Sequence, residues 1–270
     1  MSESQSENIL TLSGIHFGFS ERLLFNNLDM NIQRGKVTVI MGPSGCGKST
    51  LLSIIGGRRT VQAGDIQFLG EPLAINDIDK LYEQRHRMGM LFQSSALLTD
   101  LSVFENVAFP IREHTNLSES LLRIVVMMKL HMVGLRGAAS LMPSELSGGM
   151  ARRVALARAI ALDPLLVMYD EPFAGLDPIS MGVVVKLIRE LNDTLGITSV
   201  VVTHDVPEGM SIADYVYILG KGTLIGAGDV DTLINSQDQE IRQFLDGLPD
   251  GPVPFHYPAN AYIDDLSGGA

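Results

Sequence analysis

The stretch Gly42-Pro-Ser-Gly-Cys-Gly-Lys-Ser49 decides the fold of this chain. It matches the pattern G-x-x-x-x-G-K-[ST], in which glycines let the backbone curl so that successive N–H groups face an anion. The apolar run Val37-Thr-Val-Ile-Met41 before it predicts a strand, and Thr50-Leu-Leu52 after it continues a helix. A strand, a glycine-rich loop and a helix in this order predict a P-loop nucleotide site.

Within this loop, each residue type suits one task in holding a nucleotide. Lys48 brings a positive charge to the β- and γ-phosphates and so counts as catalytic, while the Ser49 hydroxyl is a ligand for Mg²⁺. Backbone N–H groups of the loop and of the first helical turn hold other phosphate oxygens. We expect the following residues to bind the nucleotide: Gly42, Pro43, Ser44, Gly45, Cys46, Gly47, Lys48, Ser49 and Thr50.

A second predicted strand ends in two carboxylates. The run Leu165-Leu-Val-Met-Tyr169 is followed by Asp170 and Glu171, and ligands of open α/β sheets bind beyond the carboxyl ends of strands. Asp170 suits Mg²⁺. Glu171 would orient or deprotonate the attacking water, a general-base role worth roughly 10² to 10⁴ in rate. Carboxylates at a strand end are commonly just solvated, but together with a P-loop they indicate phosphoryl transfer.

The order of predicted elements indicates an α/β fold, a P-loop cassette with a mostly parallel core sheet. Residues 9–32 are expected to form short strands and turns, an antiparallel β piece beside that sheet. Residues 94–161 are mostly helical in pattern and predict an inserted helical subdomain, and residues 215–225 predict a hairpin. We expect an ATPase domain at residues 1–246 and a Pro- and Gly-rich C-terminal extension at residues 247–270.

The composition argues against several classes of protein. With 31 acidic against 20 basic residues and a net charge of −11, we expect no nucleic-acid partner, because phosphate neutralisation needs clustered Lys and Arg. Cys46 is the only cysteine, which excludes a disulfide framework within the chain and a thiolate metal cluster. The first eight residues do not resemble a secretory signal, and no apolar run approaches the ~20 residues of a membrane helix. We therefore expect membrane contact only through partners.

The segment Leu146-Ser-Gly-Gly-Met150 lies ahead of the carboxylate strand and opens a helix. In this order with the other motifs, it makes residues 9–245 resemble the ATP-binding cassette (ABC) ATPases. The resemblance implies a head-to-tail dimer with a second copy of the chain, in which the signature contacts the γ-phosphate held by the other copy's P-loop. The signature residues given this role are Ser147, Gly148 and Gly149. Met150 departs from the usual glutamine, so any role of that amide is absent here.

Other positions match landmarks of the same family. By resemblance, Phe19 stacks on adenine, with simple packing as the alternative, and Gln93 approaches Mg²⁺ and the attacking water. Asp177 stands in the D-loop, and His204 contacts the γ-phosphate. The resemblance thus gives the cofactors as ATP and Mg²⁺, the catalytic groups as Glu171, His204 and Lys48, and the metal ligands as Ser49, Gln93 and Asp170. Cys46 is either a small filler or a thiol whose modification blocks nucleotide entry.

A finer resemblance concerns segments outside these motifs. Residues 92–98, 109–115, 126–129, 135–139, 141–150 and 244–255 are similar to the ATPases of Mla-type phospholipid transport systems of Gram-negative bacteria. The resemblance implies a peripheral subunit on the cytoplasmic side of the inner membrane. Its implied partners are an MlaE-like permease, an MlaD-like MCE lipid-binding protein and an MlaB-like STAS-domain protein. The tail with Phe255 and Tyr257 would reach the neighbouring ATPase near the STAS protein.

Two points stay open at this stage. Two alternatives stand for one set of apolar residues, a groove that receives a permease helix or packing inside the helical subdomain: Leu97, Leu98, Val103 and Phe104. The alternative functions are an ABC importer for another solute and a soluble ABC ATPase that moves no solute, such as an iron–sulfur assembly ATPase.

Overall fold

The computed structural model describes residues 7–19 and 22–253 of the 270-residue chain. The tail residues Phe255 and Tyr257 lie outside these ranges. Within them, the strands are β1 (Asn8–Phe19), β2 (Arg22–Gln33), β3 (Val37–Met41), β4 (Ala63–Phe68), β5 (Glu71–Pro72), β6 (Met88–Leu91), β7 (Leu166–Asp170), β8 (Thr198–Val202), β9 (Tyr215–Leu219) and β10 (Leu224–Gly228). The α-helices are α1 (Lys48–Ile55), α2 (Ile78–His86), α3 (Val103–His114), α4 (Glu119–Met132), α5 (Gly148–Ala159), α6 (Pro178–Leu195), α7 (Val206–Ile212), α8 (Val230–Ile234) and α9 (Gln239–Asp246).

The larger sheet has the strand order β10-β9-β3-β8-β7-β6. Its strands pair in parallel from β9 to β6, and β10 pairs antiparallel with β9 in the predicted hairpin. Every residue of β3, β7 and β8 is buried, because the sheet is covered on both faces and its strands are apolar on both sides. The mostly parallel core sheet expected from the sequence is confirmed, and it brings the ends of β3, β7 and β8 to one edge.

The smaller sheet, in the order β2-β1-β4-β5, corrects the expectation of short strands and turns near the amino terminus. Strands β1 and β2 are 12 residues each and pair antiparallel along most of their length. Residues typical of turns lie at irregularities inside the strands: Gly14 has φ +60° and Asn27 has φ +57°. The pairing register shifts between Leu12 and Ile15, so these residues form bulges that bend the strands without ending them.

Helices α3, α4 and α5 pack together through apolar side chains such as Val107, Val126 and Val154. Ser102 begins α3 as its N-cap, since its hydroxyl accepts a hydrogen bond from the Glu105 N–H. Val103 is fully buried in this packing, so the alternative of internal packing is the right one for Val103, whereas Leu98 remains exposed. Of the helices in the described ranges, none combines the length and apolarity needed to cross a bilayer.

Candidate functional site at the carboxyl edge of the parallel sheet

The P-loop connects the end of β3 to the start of α1 and requires glycine at defined positions. Gly42 has φ +153° and Gly47 has φ +107°. A Cβ on Gly42 would lie 2.5 Å from the Leu219 carbonyl oxygen, and one on Gly47 would lie 2.8 Å from Phe25 Cζ. Gly47 precedes α1 and brings no capping side chain, so the N–H groups of the first turn and the positive end of the helix dipole suit an anion.

Lys48 is 7% exposed and its amine is held inside the loop. Its Nζ donates to the carbonyl oxygens of Gly42 (2.8 Å) and Pro43 (3.3 Å) and lies 3.7 Å from Glu171 Oε1. A buried ammonium is stable only with such partners. These contacts hold the amine within the loop, where a phosphate oxygen can replace a carbonyl as its acceptor.

Ser49 and Asp170 bring two oxygen ligands together from different elements. The Ser49 hydroxyl donates to Asp170 Oδ1 at 2.8 Å. Neighbouring ligands of an octahedral Mg²⁺ at 2.0–2.1 Å lie about 2.9 Å apart. The spacing and chemistry of this pair therefore fit Mg²⁺.

Glu171 is placed by the end of β7 in a left-handed backbone conformation, with φ +47°. Its N–H donates to the Val202 carbonyl at the end of β8 (2.9 Å), which fixes this conformation against the neighbouring strand. Its Oε2 lies 2.8 Å from His204 Nδ1 and accepts from the His204 backbone N–H at 3.3 Å. A buried carboxylate oriented by an imidazole is suited to positioning and deprotonating a water molecule.

A cleft of about 390 Å³ is lined by Lys48, Ser49, Glu171 and His204, together with Phe19 and Gln93. Phe19 is 44% exposed, and its ring meets Phe17 edge to face with centroids 5.1 Å apart. The Arg59 guanidinium lies 4.9 Å from the Phe19 centroid. Phe17 belongs to the buried core. Leu24 also lines the cleft. Neither Leu24 nor Arg59 was identified as a site residue from the sequence, because neither belongs to a recognisable local motif.

Cys46 has its side chain on the other side of the P-loop. It is buried, which raises the pKa of its thiol, and it lines a cavity of about 780 Å³ bordered by the β9–β10 hairpin and α9. This cavity is larger than the cleft, but the charged groups described above lie in the cleft. Any effect of Cys46 modification on nucleotide entry must therefore be transmitted through the loop.

The signature and the D-loop form a second cluster. Ser147 caps α5 by accepting from the Met150 N–H, and Asp177 caps α6 by accepting from the Ile179 and Ser180 N–H groups. Hydrogen bonds from Ser180 hold the pKa of the Asp177 carboxyl below its usual value. The described residues that line the cleft do not include four of the predicted site residues: Ser147, Gly148, Gly149 and Asp177. Within one chain, the predicted site residues therefore form two separate groups, one in the cleft and one at the signature and the D-loop.

Comparison with known proteins agrees with this architecture. The ABC transporter family profile matches residues 25–174. The chain therefore belongs to the ATP-binding subunits of ABC transporters, whose domain binds ATP and hydrolyses it. The predicted fold and ATPase activity are confirmed.

Within that family, the chain is similar to the intermembrane phospholipid transport system ATP-binding protein MlaF. It is 56% identical to MlaF of Haemophilus influenzae, over 97% of this chain and 99% of that protein. It is also 56% identical to MlaF of Escherichia coli strain K12, over 99% of this chain and 100% of that protein. The dimeric ATP-binding cassette MJ0796, solved with ADP and Pi, matches with a TM-score of 0.75 at 30% identity, over 82% of this chain and 98% of that one.

Proposed function

We propose that this chain is the ATPase subunit of an ABC transporter that moves phospholipid between the inner and outer membranes of a Gram-negative bacterium. One observation carries the phospholipid assignment: the 56% identity to MlaF proteins extends over nearly the full length of both chains. Transport substrates are chosen by other subunits, so similarity confined to the nucleotide site would not support it. Similarity that includes the helical region and the carboxyl-terminal part does support it.

The chain works on the cytoplasmic side of the inner membrane and reaches the membrane through partners. Those partners are an MlaE-like permease, an MlaD-like MCE protein and an MlaB-like STAS-domain protein. The apolar side chain of Leu98, in the segment between Gln93 and α3, is 39% exposed, and we place the docking site of a permease helix there. We assign the ATPase domain to residues 1–246, with the helical subdomain at 94–161, and a carboxyl-terminal extension to residues 247–270. The expected reach of that extension to the neighbouring ATPase subunit concerns mostly residues outside the described ranges.

The cleft geometry supports defined roles in hydrolysis. The P-loop N–H groups and Lys48 bind the phosphates of ATP, and Phe19 stacks on the adenine ring. Ser49 and Asp170, together with Gln93, would hold Mg²⁺, and the ion would supply positive charge to the phosphate oxygens. Glu171 then positions the attacking water and accepts its proton, while His204 keeps that carboxylate aligned and contacts the transferred phosphate. Water exclusion and charge stabilisation strengthen when the cleft closes.

Closure requires a second copy of the chain. The signature lies outside the cleft of its own chain, and the first turn of α5 behind Ser147 is another helix N-terminus suited to phosphate. A head-to-tail dimer places the signature of each copy over the nucleotide of the other. The dimeric form of the similar cassette MJ0796 supports this arrangement.

The proposal is tested by isolating the complex from detergent-solubilised membranes. We expect a permease, an MCE protein, a STAS-domain protein and bound phospholipid, and we expect Glu171→Gln to lower ATP hydrolysis at least about 100-fold while ATP still binds. Glu190→Gln is the control, because this exposed carboxylate lies on α6 in an ion pair with Lys186.

Each other outcome contradicts one part of the proposal. Recovery of a permease without phospholipid or an MCE protein would remove the lipid assignment and favour an importer for another solute. Recovery of soluble partners alone would favour a non-transport ABC ATPase. Unchanged hydrolysis by Glu171→Gln would overturn the assignment of the water-activating residue.

A further inference from the structure

The segment that carries Gln93 has a strained backbone immediately after that residue. Ser95 has φ +61° and Ala96 has φ +46°, and two consecutive side-chain-bearing residues in the left-handed region are unfavourable unless their surroundings hold them. Asn106, fully buried at the start of α3, holds the far end of the segment. Its amide donates to the Leu98 carbonyl at 3.0 Å and accepts from the Leu98 N–H at 2.8 Å.

Two arginines of the signature helix α5 hold the near end of this segment. One guanidinium nitrogen of Arg152 donates to the carbonyl oxygens of Phe92 (2.9 Å) and Gln93 (2.6 Å). Arg158 donates to the Ser95 carbonyl at 3.0 Å. The second terminal nitrogen of Arg152 donates to the Ala174 carbonyl at 3.2 Å, in the turn that follows Glu171.

Arg152 is an unusual structural residue. It is 5% exposed, and burial lowers the pKa of its guanidinium. In the described ranges no carboxylate lies within ion-pair distance of it, and its Nε atom has no hydrogen-bond partner among the described residues. A buried cation held only by carbonyl oxygens is costly to keep. An apolar side chain would pack at the position of Arg152 at lower cost, so packing alone does not explain why a charged residue is found there.

We propose that Arg152 and Arg158 form a clamp that couples the signature helix to Gln93 within one chain. This inference rests on the proposed dimeric ATPase. Ser147, at the start of α5, is in that dimer placed against the nucleotide of the other copy, and Arg152 follows one turn and a half later on the same helix. When the signature engages that nucleotide, α5 moves, and the clamp carries its displacement to Gln93. Occupation of one site thereby sets the geometry of the other.

Arg152 is a positioning residue in this scheme, since it acts through Gln93. In the intact complex, we expect Arg152→Met to lower kcat about tenfold, the factor that corresponds to losing one hydrogen bond to a charged group. We expect KM for ATP to stay within about twofold, because the P-loop is untouched. The Hill coefficient for ATP should fall toward 1. Arg152→Lys keeps the positive charge and can donate a hydrogen bond in one of the directions that the guanidinium uses. Its kcat should therefore lie between those of the parent protein and Arg152→Met.

A double-mutant cycle with Gln93→Ala separates this role from a merely structural one. If Arg152 acts through Gln93, Arg152→Met should change kcat less than about twofold in the Gln93→Ala background, because the two residues belong to one unit. Arg153→Met is the matched control. Arg153 is the next residue of α5 and donates to the Gly149 and Val133 carbonyls, away from the Gln93 segment. We expect it to lower the melting temperature without lowering the Hill coefficient.

The clamp is overturned if the effects of Arg152→Met and Gln93→Ala multiply, or if Arg153→Met lowers the Hill coefficient equally. These failures differ from failure of the proposed function. A wild-type complex that does not hydrolyse ATP, or that hydrolyses it without a second copy, refutes the dimeric ATPase itself. A cooperative wild-type complex with multiplicative variants refutes the clamp alone.

Discussion

Two adjacent glycines at the start of α5 should respond in opposite ways to the same substitution. A Cβ added to Gly149 would lie 2.5 Å from Ser180 Oγ and 2.7 Å from Ser180 Cβ, whereas one added to Gly148 meets no atom closer than Leu176 Cδ2 at 4.0 Å. Neither glycine has a positive φ, so backbone strain does not separate them. Only the contact with α6 does.

The expected magnitudes follow from these distances. Non-bonded carbon atoms pack best at about 3.5–4.0 Å, so Gly149→Ala must push the two helix starts apart by roughly 1 Å. Overpacking of this kind costs about 1–3 kcal/mol, from which up to about 1 kcal/mol is recovered because alanine favours a helix. At about 2–4 °C per kcal/mol for a chain of this size, we expect a lower melting temperature by a few degrees. Gly148→Ala should leave it unchanged or raise it.

Thermal and urea unfolding of the two single variants measure this difference, and Ser180→Gly supplies the decisive background. That substitution removes both atoms that the new Cβ would overlap. In the Ser180→Gly protein, Gly149→Ala should cost less than about 0.5 kcal/mol, because only the helix preference is then left. An equal cost of Gly149→Ala in both backgrounds would refute the steric argument. So would equal melting temperatures of the two alanine variants in the parent protein.

Two further predictions concern the nucleotide cleft and the D-loop. Phe19→Ala should raise the dissociation constant for ATP about tenfold, within the range for losing one base-stacking contact. Phe109→Ala, which removes another half-exposed ring far along the sequence, should leave it unchanged in equilibrium dialysis. Asp177→Asn should destabilise the protein at neutral pH, because the folded-state pKa of Asp177 is lowered and its contribution is present above the unfolded pKa. That difference should vanish as pH falls through the lowered pKa, as followed by urea midpoints; a constant difference would contradict it.

The sequence predicted well those parts of the structure that depend on short-range pattern. The strand before the P-loop was predicted at its observed bounds, Val37–Met41, because its apolar, β-branched residues are bounded by glycine. The carboxylate strand was shifted by one residue, to Leu166–Asp170. Because parallel strands end at one edge, motifs far apart in sequence, such as Ser49 and Asp170, could be expected to meet, and their oxygens lie 2.8 Å apart.

Other features depend on contacts that no local pattern records. Gly14 and Asn27 have a local preference for turns, but both lie at bulges inside long strands. The pairing of β1 with β2 and with β4 outweighs that preference. From the sequence, Val103 cannot be distinguished from an apolar residue that lines an open groove. Only the packing of α3 in the folded protein buries it. Arg59 over Phe19 and Arg152 against the Gln93 segment join residues 40 and 59 positions apart. Long polar side chains reach such partners in ways that periodicity cannot predict.

The two groups of site residues, those of the cleft and those of the signature, are attached to the rest of the fold in different ways. The cleft residues are fixed by the ends of parallel strands, and Glu171 is held by a backbone hydrogen bond to the neighbouring strand β8, so their mutual positions change little. The signature stands on α5, whose apolar side chains such as Val154 belong to the core. Its link to the Gln93 segment, in contrast, consists of polar contacts, chiefly those of Arg152 to the Phe92 and Gln93 carbonyls. Hydrogen bonds of this kind can exchange partners at little net cost, whereas packed apolar contacts cannot shift without opening voids. A rigid cleft joined to the signature helix through exchangeable hydrogen bonds at the Gln93 segment is what a dimer needs if ATP binding in one half is to move the other.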